Sequence, residues 1–448
     1  MSDVQPREIT RREFLAASAT TLLTGAFNPM AVKGSVDSDD HPQTTIRTAE
    51  WFGDDEIVLD FPLGWQIDVR WMDGQSAPEL SDDQMRQALH STIDTPRIAE
   101  IADGAGRVVI TFDDMSRPTP TYRVAPLVIE ELHTAGVKDE DIVFQAAYGT
   151  HPPLYQQQMV QKLGGDIVKK YQVWNHDCFH GLTALGTSSR GNDVRLNSRF
   201  MSADVKICIS CVKPHYIAGY GGGAKSIVPG VAWIKTAGYI HHEVSPNSET
   251  GYGIVNSDVR LDMEEAARMA GLDVSVNITM NGTRQITGLF AGDVVSAHRS
   301  AAKLAHSIGN TPSGPLADVV VINSYPQGMQ ATKELRHAKT GLKDGGSVVL
   351  IQDTPTGQSK MHFGAWFATD GWNQPRQPSG LPVAQASQVI VFNRYHSKWD
   401  EREFSPDVHF TTQWEEVVYL LSASHGGNTL VTVYPTAPFQ HESLALRL

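Results

Sequence analysis

The chain has 448 residues, 41% of them apolar and 19% charged, which is the composition of a folded soluble protein and excludes a disordered one. Its formal charge of -13 argues against a nucleic-acid binder, which carries a basic face. Three cysteines in the whole chain are too few for a disulfide framework.

In chain order, Arg11 and Arg12 stand before a short, weakly apolar run over 15–27 that cannot anchor in a bilayer. The pattern predicts a twin-arginine export signal over 1–34, read by the twin-arginine translocase, and a periplasmic or extracellular location. A polar linker is expected over 35–49. From residue 50, β-branched runs alternate with helical patterns. A strand over 107–112 precedes a helix over 126–135, with Pro126 placed in its first turn. A strand over 141–148, a helix over 155–163 and a strand over 205–212 follow. The last contains Cys208 and Cys211, read as small core residues rather than a redox pair, since such pairs work at helix N-termini. A Gly/Pro/Ser-rich joint over 309–316 separates a domain over 50–308 from one over 317–448. The latter shows strands at 318–323, 347–352, 388–392 and 429–434. Such alternation predicts two α/β domains with mainly parallel sheets and a cleft between them.

In parallel sheets, ligands bind beyond the carboxyl ends of the strands. There the sequence places Asp114 and Arg117, then His151, then His215, and in the second domain Gln330 and Lys333. After His215 comes a glycine loop, Gly221-Gly222-Gly223-Ala224-Lys225-Ser226. It is not a phosphate-binding P-loop. Ala224 replaces the second glycine, and Pro229-Gly230 would break the helix that such a loop must open. The segment His176-Asp177-Cys178-Phe179-His180 reads as a loop rather than a metal site.

Asp114-x-x-Arg117-Pro118, Gly149-Thr150-His151, the glycine loop, and the spacing from His215 to Lys225 to His241 together resemble the nickel-pincer lactate racemase family. Gln330-x-x-Lys333 matches the polar pair of that family's second domain. The resemblance spans roughly residues 50 to 435. It implies a racemase or epimerase acting on a small 2-hydroxy acid. It also implies a pyridinium bis-thio mononucleotide joined covalently to Lys225, holding Ni(II) with His241 as the protein ligand, and cofactor maturation proteins as partners. His151 and His215 would be the opposed bases, and Asp114, Arg117, Gln330 and Lys333 would bind substrate. Gly221, Gly222 and Gly223 would let the backbone approach the flat cofactor. Trp366, Trp372 and Trp399 offer an apolar wall, with Trp399 preferred. Two other classes fit part of the pattern. A zinc-dependent hydrolase would use His151, His215 and His241 as ligands. A non-catalytic periplasmic binding protein would capture hydroxy acids between the domains.

Overall fold

The computed structural model describes residues 41–358, 379–442 and 444–448. The export signal expected over 1–34, Trp366 and Trp372 lie outside these residues. Residues 41–448 form one compact unit, built on two six-stranded sheets.

The first sheet runs in the order Ile286–Gly292, Val274–Met280, Val205–Cys211, Val108–Phe112, Ile142–Ala146, Gln172–Trp174. All neighbours are parallel except the edge hairpin Val274–Met280 with Ile286–Gly292. Its central strands are buried along their whole length, because helices cover both faces. Alternate side chains go to opposite faces: Ile110, Phe112 and Phe144 pack in one cluster, Val109 and Val143 in another. The second sheet is parallel throughout, in the order His409–Thr411, Gln388–Phe392, Leu342–Ile351, Ala317–Asn323, Leu430–Tyr434, Gln66–Val69.

Three expectations change in detail. The helix around Pro126 starts earlier, spanning Thr121–Thr134 with the proline inside it. A proline there withholds its donor from the carbonyl four residues back, that of Tyr122, and Tyr122 is exposed, where water can take the donor's place. Within the expected linker over 35–49, Gln43–Arg47 is a strand paired antiparallel with Glu56–Asp60. Its Ile46 is buried, as is Leu59 on the partner strand. Gln66–Val69, inside the span expected for the first domain, instead forms the edge of the second sheet.

That strand leads into Arg70, where three passes of the chain meet. Its guanidinium donates to Glu442 at 2.7 Å, Tyr434 at 2.9 Å and the carbonyl of Pro315 at 2.8 Å. Gln440 donates to the Arg70 carbonyl at 2.6 Å. No helix among the described residues is long and apolar enough to cross a membrane.

Candidate active site

The carboxyl ends of three adjacent first-sheet strands open into a cavity. Its lining includes Asp114 and Arg117 after Val108–Phe112, and His151 after Ile142–Ala146. It also includes His215, Gly221, Gly222 and Lys225 after Val205–Cys211.

Asp114 is buried, which alone would raise its pKa. His151, Arg117 and the Ser116 hydroxyl instead hold it well below the usual carboxylate range. Its Oδ2 lies 2.6 Å from His151 Nδ1, and its Oδ1 accepts from Ser116 Oγ at 2.6 Å. A carboxylate at Nδ1 fixes the proton there and leaves the lone pair on Nε2, which makes His151 a proton acceptor. Arg117 Nη1 donates to Ser116 O at 3.0 Å, Ser116 Oγ at 2.9 Å and Gln330 Oε1 at 3.0 Å. Nε and Nη2 of its fork are left for a carboxylate.

His215 is set differently. Its Nδ1 accepts from the amides of Ile217 and Ala218, each at 3.3 Å. Burial and the nearby lysines and Arg117 push its pKa well below the ordinary value. The neutral ring therefore carries its proton on Nε2 and offers a donor where His151 offers an acceptor. The ring stacks on Tyr216, whose own ring lies 5.4 Å from the Lys333 ammonium.

The glycine loop turns once over Gly223–Ser226 and continues through turns to Gly230, with no helix behind the lysine. Two of its glycines answer to the protein rather than to a ligand. Gly222 has φ +76°, and a Cβ there would meet Cys211 O at 2.8 Å; Gly223 has φ +60°, with His298 at 3.0 Å. Gly221 has room on its closed side. The loop's carbonyls are held from below by the fully buried Arg260, which donates to Ala218, Tyr220 and Gly222. His298 Nε2 lies 2.8 Å from Gly221 O.

Burial, then Arg117, Arg260, Lys333 and Lys213, push Lys225 well below its usual pKa, which favours the uncharged amine that covalent attachment needs. Lys225 also acts electrostatically on His241. His241 sits in a π-helical turn, Ile240–Val244, a distortion frequent at functional sites. Its Nδ1 lies 2.7 Å from the carbonyl of Ala237, leaving Nε2 with a lone pair, and burial lowers its pKa to about 4. A neutral imidazole oriented by a carbonyl is the usual state of a metal-bound histidine. His242 is exposed.

From the second sheet, Gln330 gathers three donors on Oε1: Arg117, Gln327 at 2.8 Å and Lys333 at 2.7 Å. Trp399 does not line the cavity. It is 51% exposed and covered by Arg402, 4.4 Å from its ring. His176 and His180 do not converge. His176 is buried against Ala232 O and Asn197, while His180 pairs with Asp177 at the surface. Among the described residues, no group of three His, Cys, Asp or Glu side chains could hold a metal ion.

Several supporting residues were not read from the sequence. Lys162, fully buried, donates to Asp113 at 2.6 Å and to the carbonyls of Arg117 and Thr119 at 3.1 Å each, fixing the loop that aims Asp114 and Arg117. Trp51 lies 4.6 Å from the Lys162 ammonium and 4.1 Å from the Arg284 guanidinium, and donates to Met115 O at 3.2 Å. Arg260 carries the one legible signal: it shares a helix face with Met263, Glu264 and Ala267, a cation at a core position.

A cavity at the carboxyl ends of a parallel sheet, with two poised imidazoles and a lysine of depressed pKa in a glycine turn, defines an α/β enzyme. Residues 52–251 match the lactate racemase N-terminal domain family. The chain is 28% identical over 296 residues to a lactate racemase of Thermoanaerobacterium thermosaccharolyticum, covering 64% of this chain and 69% of that one. It is 28% identical over 295 residues to a lactate racemase of Lactiplantibacillus plantarum, with the same coverage. The chain thus carries a lactate racemase N-terminal domain over residues 52–251 and is similar along most of its length to lactate racemases, which are isomerases. The fold is that of the lactate racemase apoprotein from T. thermosaccharolyticum, with a TM-score of 0.66 at 21% identity over 90% of this chain and 100% of that one. A Thermotoga maritima protein has a TM-score of 0.58 at 14% identity, over 80% of this chain and 99% of that one.

Proposed function

We propose that this racemase inverts the α-carbon of a 2-hydroxy acid by proton-coupled hydride transfer, using a nickel-pincer nucleotide tethered at Lys225. The observation that carries the reading is the placing of Lys225 in the glycine turn, its pKa held well below the usual lysine value, within electrostatic reach of a neutral His241. Both residues suit the group: the amine as its covalent anchor, the imidazole as a ligand for Ni(II), which favours four-coordinate planar sites with nitrogen donors. When bound, the group supplies the hydride acceptor that the chain's own side chains lack.

The side chains supply the rest. Arg117 takes the substrate carboxylate on the free edge of its fork, and Gln330 and Lys333 close on it from the second sheet. His151 accepts the hydroxyl proton at Nε2, and Asp114 stabilises the resulting imidazolium. His215 faces the substrate oxygen with Nε2–H. To serve the opposite enantiomer as a base, it must move its proton to Nδ1 and give up the two long amide contacts. Burial of these groups strengthens every charge interaction in the cleft.

Intact mass spectrometry of protein co-produced with its maturation proteins tests the anchor, which predicts an adduct on wild type and none on Lys225→Ala. Chiral chromatography of single-enantiomer 2-hydroxy acids tests the reaction. Products that stay optically pure across a panel, with the adduct present, would refute it.

A further inference from the structure

Lys213 follows Val205–Cys211 and lines the same cavity. Its backbone is pinned, because its carbonyl accepts from Gly221 N at 2.7 Å and Pro214 pairs with Tyr220 in a short antiparallel ladder. The residue is only 7% exposed, and its ammonium has no hydrogen-bond acceptor among the described residues. Burial pushes its pKa down to about 8, with Glu334 opposing and Arg117 and Arg336 assisting. Glu334 is no dedicated partner, since it lies 3.1 Å from Arg336. The fold satisfies its structural lysines otherwise: buried Lys162 has three acceptors, and Lys206 donates to Ala203 O at 2.8 Å. An ammonium so enclosed, left to the cavity's solvent rather than to a protein acceptor, is held at a cost, and at the wall of a ligand cavity it points to a ligand that supplies the acceptor.

We propose that Lys213 receives an oxyanion in the cleft, separate from the carboxylate that Arg117 holds. The inference rests on the proposed reading of this cleft as a hydroxy-acid site and extends it. Two sources present that chemistry there: the distal carboxylate of a 2-hydroxy dicarboxylic acid, or the phosphate of the tethered nucleotide. In either case the anion neutralises a charge that a monocarboxylate substrate leaves uncompensated.

The test is calorimetric titration of the purified full chain without cofactor, as wild type, Lys213→Met and Lys213→Arg. The probes are inorganic phosphate, nicotinic acid mononucleotide, and single enantiomers of lactate and malate, with melting curves as the folding control. The expected result is that Lys213→Met weakens phosphate and mononucleotide, or malate, by about tenfold or more, as for loss of a charge-assisted bond. Lactate should be unchanged, and Lys213→Arg should keep most of the affinity. Loss for phosphate and mononucleotide assigns the nucleotide; loss for malate alone assigns the substrate's far end. Equal affinities across the variants, a matching loss for lactate, or wild-type protein that binds neither phosphate nor malate overturns the proposal. If Lys213→Met fails to fold, Lys213→Gln removes the charge with a polar isostere and is read the same way. A chain that shows these affinities but inverts no hydroxy acid sinks the racemase reading and leaves Lys213 standing.

Discussion

Asp114 shows how much one carboxylate can organise. It sets the tautomer of His151, orders Ser116, and through Ser116 steadies Arg117. Replacing His151 by Asn should lower kcat by about 10²–10⁴-fold, the usual worth of a positioned base. Asp114→Asn should take a smaller part of that loss with KM nearly unchanged, because the ring is then free to hold its proton on either nitrogen. Initial rates on each enantiomer, followed by chiral chromatography, check both. Behind this pair, Lys162→Met strands a buried Asp113 without its cation and should cost about 3–5 kcal/mol in denaturant unfolding. Adding Asp113→Asn to it should return part of that stability.

The element that matters most is the glycine turn with the helix beneath it, Asp258–Met269. Arg260→Met would orphan the Tyr220 carbonyl, at about 1–3 kcal/mol, and strip Ala218 and Gly222 of one donor each, leaving them the amides of Tyr220 and Lys225. The expected outcome is a lower melting temperature and a reduced adduct yield on Lys225 at unchanged helical circular dichroism. An adduct yield equal to wild type would mean the turn holds its shape without the guanidinium. The main strands were legible because parallel strands buried on both faces are continuous β-branched runs. Residues at their carboxyl ends were legible for the same reason, since the strand assigns them a common edge. The hairpin Val274–Met280 to Ile286–Gly292 went unread although Asn281-Gly282 marks its turn. Lys162, Trp51 and Arg260 were hidden for a different reason. Their partners lie in remote segments; Arg260 alone betrays its burial, by standing on the apolar face of its helix, and Lys162 cannot be told from a surface cation until those segments are placed. The glycines were expected to make room for a ligand, and at 222 and 223 they make room for the protein's own backbone and His298.

Across the whole molecule, burial keeps many imidazoles neutral. His176, His241 and His441 are held at about 4, and His215, His298 and His337 well below the ordinary value. In the unfolded chain each takes a proton near pH 6.5. Between that pH and about 4 the unfolded state therefore binds more protons, and stability falls as the solution is acidified. Each such group contributes a slope of about 1.4 kcal/mol per pH unit. The melting temperature should drop steeply from pH 7 to pH 5, and calorimetry at pH 5 should find uptake of about five protons on unfolding. A flat profile would mean these rings carry their protons in the folded state.

The meeting of three chain passes at Arg70 bears on how a nucleotide as large as the proposed one could ever be loaded. Halves joined by a single thread could drift fully apart, whereas here any opening that admits the nucleotide must leave the crossing at Arg70 intact. Genetic dissection at residues 309–316 would yield no independent half, since each fragment would lack a strand or a tail that the other keeps.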